Sequence, residues 1–454
     1  MENMIPLNGR VAIVDDDEKQ AMPLIRVFSK MNIPYTFYKG NDYRFLPETP
    51  ENDIRILFLD LNLLGNREES TKDVRSILIP TIKHIISPDN YPYLLILWSR
   101  QESQYKKTLE DIFQNELKKC APIAIKNYVK SDFFHDYGTE EDNTQDDILI
   151  IDELKRILTE LPAYSYLMLW ENLAHASTDK LFKNIFPNAE PIEWEKFTNV
   201  VLNSLGRAYM GQYFSEATPE EKIKASFFAL NSVYIDSLDN NLANCTISSP
   251  QELDEKSLKE DVINKLKADL NYKMLVFTKP NNMCEPGVVI EYKNPKSNYF
   301  EQFLHKIISV LFVKHEIQSE KPDISDSVLK KDINNRIKQI KKDIQQTWMK
   351  IGIVVTPSCD YAQKKKVYDR IVQGMMIESC YSDYINQGDA FYISPTIKYD
   401  SRNYIIILNY NYFITSNLNE EDNCDALFKL RRPVLAEIQS KLARHINRQG
   451  IMNL

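Results

Sequence analysis

Over roughly the first 130 positions, apolar residues come in short continuous runs, separated by stretches in which they recur every three to four positions. Runs at 10–14, 35–38, 54–59, 93–98 and 123–129 read as strands, and the nearly unbroken ones suit strands covered on both faces. The stretches at 19–31, 77–86 and 106–119 carry helical spacing, clearest in Met22, Ile25, Phe28 and Met31. Strand and helix in turn predict an α/β domain over 1–137, a doubly wound five-stranded parallel sheet.

Two changes of pattern follow. Residues 138–147 (GTEEDNTQDD) are acidic and polar and read as a linker. Residues 148–250 read as a helical middle segment, with helices at 148–161, 164–176, 194–213 and 219–238 and a closing Asn-rich linker at 237–250. From 251 to 454 the pattern predicts a β-rich α+β domain with helical insertions, a small antiparallel barrel or sheet. Its strands are placed at 274–278, 287–292, 351–356, 390–394 and 404–408, its helices at 299–314, 328–349 and 425–447.

Composition narrows the class. With 43% hydrophobic and 26% charged residues the chain has globular proportions, and 11 glycines among 454 residues leave little for flexible tails. A net charge of −8 disfavours a dedicated DNA-binding regulator. No run reaches the roughly 20 apolar residues of a membrane span, and residues 1–6 (MENMIP) lack the pattern of a signal peptide. Cys120, Cys245, Cys284, Cys359, Cys380 and Cys424 form no CxxC pair and read as reduced thiols, which with the rest points to the cytoplasm.

The chemistry sits where the first five strands end. Ligands of a parallel sheet gather beyond its carboxyl edge. Strand one ends in Asp15-Asp16-Asp17, strand three in Asp60, strand four in Ser99 and strand five in Lys130. These are an acidic pair for a hard cation, a carboxylate nucleophile, a hydroxyl donor and an ammonium, a set suited to phosphoryl transfer onto a carboxylate.

The strings VAIVDDD, FLDL, ILWSR and YVKSDFF in this setting resemble the receiver domains of two-component response regulators, over about the first 137 residues. The resemblance implies that Asp60 is the phosphoacceptor, that Asp15 and Asp16 with Asp60 and the carbonyl of Asn62 hold Mg2+, that Ser99 is the switch hydroxyl and that Lys130 pairs with the phosphoryl group. It also implies a histidine kinase as phosphoryl donor and a second effector protein as a partner. Three features depart from the family pattern. Lys130 is followed by Ser131 rather than proline, the aromatic Tyr128 lies two before the lysine rather than three, and a charged loop follows Asp60. Lys126 is an alternative match to the family lysine.

Beyond residue 137 the signals are thinner. The string at 351–363 (IGIVVTPSCDYAQ) loosely resembles a Cys-Asp signature of bacterial small β-barrel proteins. Cys359 is a candidate nucleophile with His445 or His305 as base; the plainer reading packs Cys359 in the core and uses Asp360 as a helix cap. Glu291 and Lys293, with Asp269 or Glu285 upstream, resemble the PD-(D/E)xK nuclease core; the plainer reading is an exposed strand edge with opposite charges. The lysines between 330 and 342 read as the solvated face of a helix. The expectation is therefore a bacterial response regulator acting through protein–protein contact or phosphate buffering, with anti-phage phosphorelays as an architectural parallel. A phosphorylation-gated enzyme and a DNA-binding regulator are the alternatives.

Overall fold

The computed structural model describes residues 10–40, 42–61, 71–99, 106–132, 144–185, 193–247, 250–252, 258–278, 280, 282–293, 295, 298–362, 367–418 and 423–447. The chain divides into two compact units, residues 1–198 with 230–253, and residues 199–229 with 254–454.

The first unit is built on strands β1 (Arg10–Asp15), β2 (Tyr35–Lys39), β3 (Ile54–Leu59), β4 (Leu94–Ser99) and β5 (Ala124–Val129). They pair in parallel in the order β2-β1-β3-β4-β5. Because alternate side chains leave opposite faces, the sheet feeds two cores. Val11, Ile13, Ile56, Phe58, Leu94 and Ile96 pack on one face against helices α1 (Glu18–Lys30), α4 (Thr144–Glu160) and α5 (Pro162–Ile185). Ala12, Val14, Leu57, Leu59, Leu95 and Leu97 pack on the other against α2 (Thr71–Ile85) and α3 (Lys106–Asn115). The sheet is doubly wound, as its apolar runs predict. Between β2 and β3, the described residues hold only a short 3-10 turn, Tyr43–Phe45, with Leu46 closing the core below it.

Helix α4 covers the sheet with Ile150, Leu154, Ile157 and Leu158, a spacing that puts all four on one face. Each such burial contributes about 1.5–3 kcal/mol. Its first turn lies inside the segment expected as a linker. Helices α6 (Trp194–Met210) and α7 (Pro219–Asn244) follow. Thr218 and Glu221 cap α7 reciprocally, Glu221 accepting from the Thr218 N–H at 2.8 Å and Thr218 from the Glu221 N–H at 3.3 Å. No Gly or Pro follows Pro219 within it, so α7 runs to Asn244 through the start of the second expected linker.

In the second unit, α8 (Glu260–Leu275) leads into an antiparallel sheet. Its strands are β6 (Val276–Thr278), β7 (Val288–Tyr292), β8 (Met349–Val354), β9 (Asp369–Glu378), β10 (Phe391–Ile393), β11 (Ile397–Tyr399), β12 (Arg402–Ser416) and β13 (Cys424–Leu430). The order is β10-β12-β9-β8-β7-β13-β6, with β11 paired to β12. On one face Leu435, Ile438 and Leu442 of α13 (Arg432–Ile446) cover Ile351, Ile353, Ile406 and Phe428. On the other lie α9 (Tyr299–Ile307), α10 (Val310–Glu320) and α11 (Asp326–Thr347). A short helix, α12 (Ser358–Ala362), follows β8. Glycine is required at Gly374 of β9, where a Cβ would lie 2.1 Å from the carbonyl oxygen of Ile407.

Three expected elements differ. Residues 425–430, expected as helix, belong to β13, and the helix starts only at Arg432, where Pro433 occupies the first turn. The helix expected at 299–314 breaks at Ile308, and Ser309 caps α10 by accepting from the Phe312 N–H at 3.2 Å. Met274 and Leu275 belong to α8, leaving a strand of three residues.

Candidate metal centre

The parallel register carries the site. The backbone N–H of Asp60 donates to the carbonyl of Val14 at 2.8 Å, continuing the β1–β3 ladder one step past the end of β3. This sets Asp60 beside Asp15, the last residue of β1. Lys130 follows β5 immediately, and its Nζ reaches 2.6 Å from Asp15 Oδ2 and 2.8 Å from Asp60 Oδ2. All three side chains are buried: Lys130 and Asp15 are 0% exposed, Asp60 2%. Asp16 completes the group, since one ligand oxygen from each of Asp15, Asp16 and Asp60 lies within 4.8 Å of the others. It is the one such acidic, His or Cys cluster among the described residues.

Three carboxylates share one ammonium here, which leaves excess negative charge in a poorly solvated pocket. Burial raises the Asp15 carboxyl to about 6, against the pull of Lys130 and with a further push from Asp60. Burial, then Asp60, raises Asp16 as well. A hard divalent cation relieves such crowding, and the all-oxygen donor set fits Mg2+. Asp15, Asp16 and Asp60 would hold it. Asn62, the fourth expected ligand, lies outside the described residues. Ser99 closes β4, its Cα in register with Val129, so its backbone reaches the same edge; its side chain lies outside the described residues.

Two roles escaped the sequence reading. Asp17 caps α1, accepting from the Lys19 N–H at 3.0 Å. Gln20 donates to Asp17 Oδ2 at 3.1 Å while its Oε1 accepts from Lys130 Nζ at 3.3 Å, so the cap reaches into the pocket. The signal was present as Asp-x-x-Gln before an apolar helix stripe. Lys126, the alternative lysine, lies on β5 and pairs with Glu160 of α4 at 2.5 Å. The Tyr128 hydroxyl bonds Glu153 of α4, beside Arg156, and burial raises its pKa so that it stays protonated.

The candidates of the second unit fall into separate small groups. Lys293 Nζ lies 3.0 Å from Glu291 and 3.1 Å from Asp425. Strand β7 is interior, between β8 and β13, which corrects the expected strand edge. The acids expected to help hold a metal are engaged by other lysines, Asp269 by Lys273 at 2.8 Å and Glu285 by Lys429 at 2.6 Å. The Cys359 side chain lies outside the described residues. Asp360 sits within α12 rather than at its cap and pairs with Arg370 at 3.6 Å. His305 contacts Lys341, and His445 Nε2 bonds Asn411 Oδ1 at 3.1 Å. The lysine-rich helix α11 buries Leu329, Ile333, Ile340 and Ile344, so one face is core and the rest solvated.

No helix among the described residues is long and apolar enough to cross a membrane. No family model matches the chain, and no curated protein does. Among solved structures it is similar to full-length FixJ from B. japonicum, at 12% identity and a TM-score of 0.19, over 52% of this chain and 96% of that one. The five-stranded parallel sheet and the aspartate cluster fit a receiver domain.

Proposed function

We propose that residues 1–137 form a receiver domain, and that the protein is a response regulator taking a phosphoryl group from a histidine kinase onto Asp60. The observation that carries this reading is the buried bridge of Lys130 to both Asp15 and Asp60, with Asp16 alongside. In the reaction an Asp60 carboxylate oxygen attacks phosphorus in line, and the bond to the donor breaks as the acyl phosphate forms. Bound Mg2+ would offset the repulsion between carboxylate and phosphoryl oxygens. The Lys130 ammonium, already within 2.8 Å of Asp60, turns to the phosphoryl oxygens and holds the new charge. Ser99 gains an acceptor only once Asp60 is modified, which gives the two states different contacts. Output runs through protein–protein contact or phosphate buffering, by the segments after residue 137.

Incubation with acetyl phosphate and Mg2+ should add one base-labile phosphoryl group, read by intact mass. Asp60→Asn should abolish it, because an amide cannot form the acyl phosphate. Equal labelling of the two proteins overturns the proposal.

A further inference from the structure

We propose that a cavity in the second unit binds a nucleoside di- or triphosphate. The cavity, of about 810 Å3, lies between the 387–389 loop, edge strand β10, the Ser394-Pro395 turn and the C-terminal end of α13. Its size falls in the range of small-molecule sites, about 300–1,000 Å3.

One wall is cationic. Lys441, Arg444 and His445 stand three and four positions apart on α13, so one helix face presents all three. Lys441 is held in place by Glu437 at 2.8 Å and by the Tyr392 ring, whose centroid is 5.2 Å from Nζ. His445 is oriented by a chain of amides. Asn411 donates through Nδ2 to Asn409 Oδ1 at 3.1 Å, so its Oδ1 faces the imidazole and accepts from Nε2 at 3.1 Å. Arg444 is exposed and makes no ion pair among the described residues. The negative end of the helix dipole favours cations in its last turn, but it does not require them to line a cavity.

The remaining lining fits the rest of a nucleotide. Pro395 and the half-buried edges of Phe391 and Ile393, whose other sides pack on the α9–α11 core, give apolar surface for a base, and Gln387 offers polar groups for ribose hydroxyls or base edges. Inorganic phosphate alone would fill a small part of the volume and leave that surface unused. Nothing in this assignment depends on chemistry at Asp60.

Calorimetric titration of the full chain with ATP, ADP, GTP, CTP and UTP tests it, with tripolyphosphate and adenosine as controls. Saturable binding of at least one nucleotide is expected, tighter than either control. Arg444→Gln and Lys441→Gln should each weaken it about tenfold, the loss of a charged hydrogen bond. Both sites are at the surface, and unchanged circular dichroism will show that the variants fold. Absence of nucleotide binding overturns the proposal, as does affinity unchanged in both variants. Tripolyphosphate binding as tightly as the best nucleotide also overturns it, since the site would then read charge alone.

Discussion

The two sheets of this protein distribute their polar residues in opposite ways. In the parallel sheet every strand ends on the same edge, so Asp15, Asp60 and Lys130 meet although up to 115 residues separate them in sequence. In the antiparallel sheet neighbouring strands end on opposite edges, and the charged residues form small separate groups, even where their chain separation is longer. Glu291 meets Lys293 two positions on, and Glu285 meets Lys429 across the sheet. Parallel topology converges side chains from several strands on one pocket, whereas antiparallel topology leaves them in separate groups of two or three. The cavity of the second unit lies at the margin of its sheet, where the end of α13 meets β10.

That contrast can be tested by substitutions ranked by effect. Lys130→Met should be the most damaging, because it leaves Asp15 and Asp60 facing each other in a buried pocket. Breaking such a pair costs about 3–5 kcal/mol, measurable by urea denaturation, and added Mg2+ should restore part of it. A loss under about 1 kcal/mol would mean that the pocket admits water freely and is no convergent site. Gly374→Ala should come next, at about 1–3 kcal/mol or more, because β9 or β12 must shift to admit the methyl group. Since β9 is remote in sequence from Asp60, labelling by acetyl phosphate should persist at temperatures below the variant's unfolding transition.

Asp17→Ala should lower thermal stability by about 1 kcal/mol through loss of the α1 cap. It should also slow phosphorylation, since Gln20 loses its anchor beside Lys130. A stability loss with no kinetic change would confine Asp17 to capping. Lys293→Ala should change stability by less than about 0.5 kcal/mol, because the pair is solvent-screened. It should leave plasmid DNA uncut under Mg2+ or Mn2+, as in the unsubstituted protein. Cleavage that vanishes in this variant would turn the local pair into an active centre and erase the contrast.

The five parallel strands were legible because both faces are covered, which forces continuous apolar runs such as ILFL and LLIL. The pocket was legible for the same reason: strand ends fix where side chains gather. Gln20 was not read because a cap and a pocket contact look alike along the chain. The antiparallel sheet was harder. Strand β9 contains Gln373-Gly374 amid its apolar residues, which hides a ten-residue strand whose glycine answers a neighbour 33 positions on. Residues 425–430 are too few to separate a helical from a strand period, and the pairing with β7 decides. Helix α7 was cut short because its asparagines suggest turns, whereas none of them adopts one.

The Lys130 bridge also sets an order of events in time. Its two contacts close chain separations of 115 and 70 residues, so neither can exist until β5 has joined the sheet at its far edge. Closing loops of that length carries an entropic cost that earlier strand pairings must offset. During synthesis the aspartates of β1 and β3 therefore leave the ribosome 70 residues or more before their counter-ion, and the pocket's charge is balanced only once β5 has paired with β4.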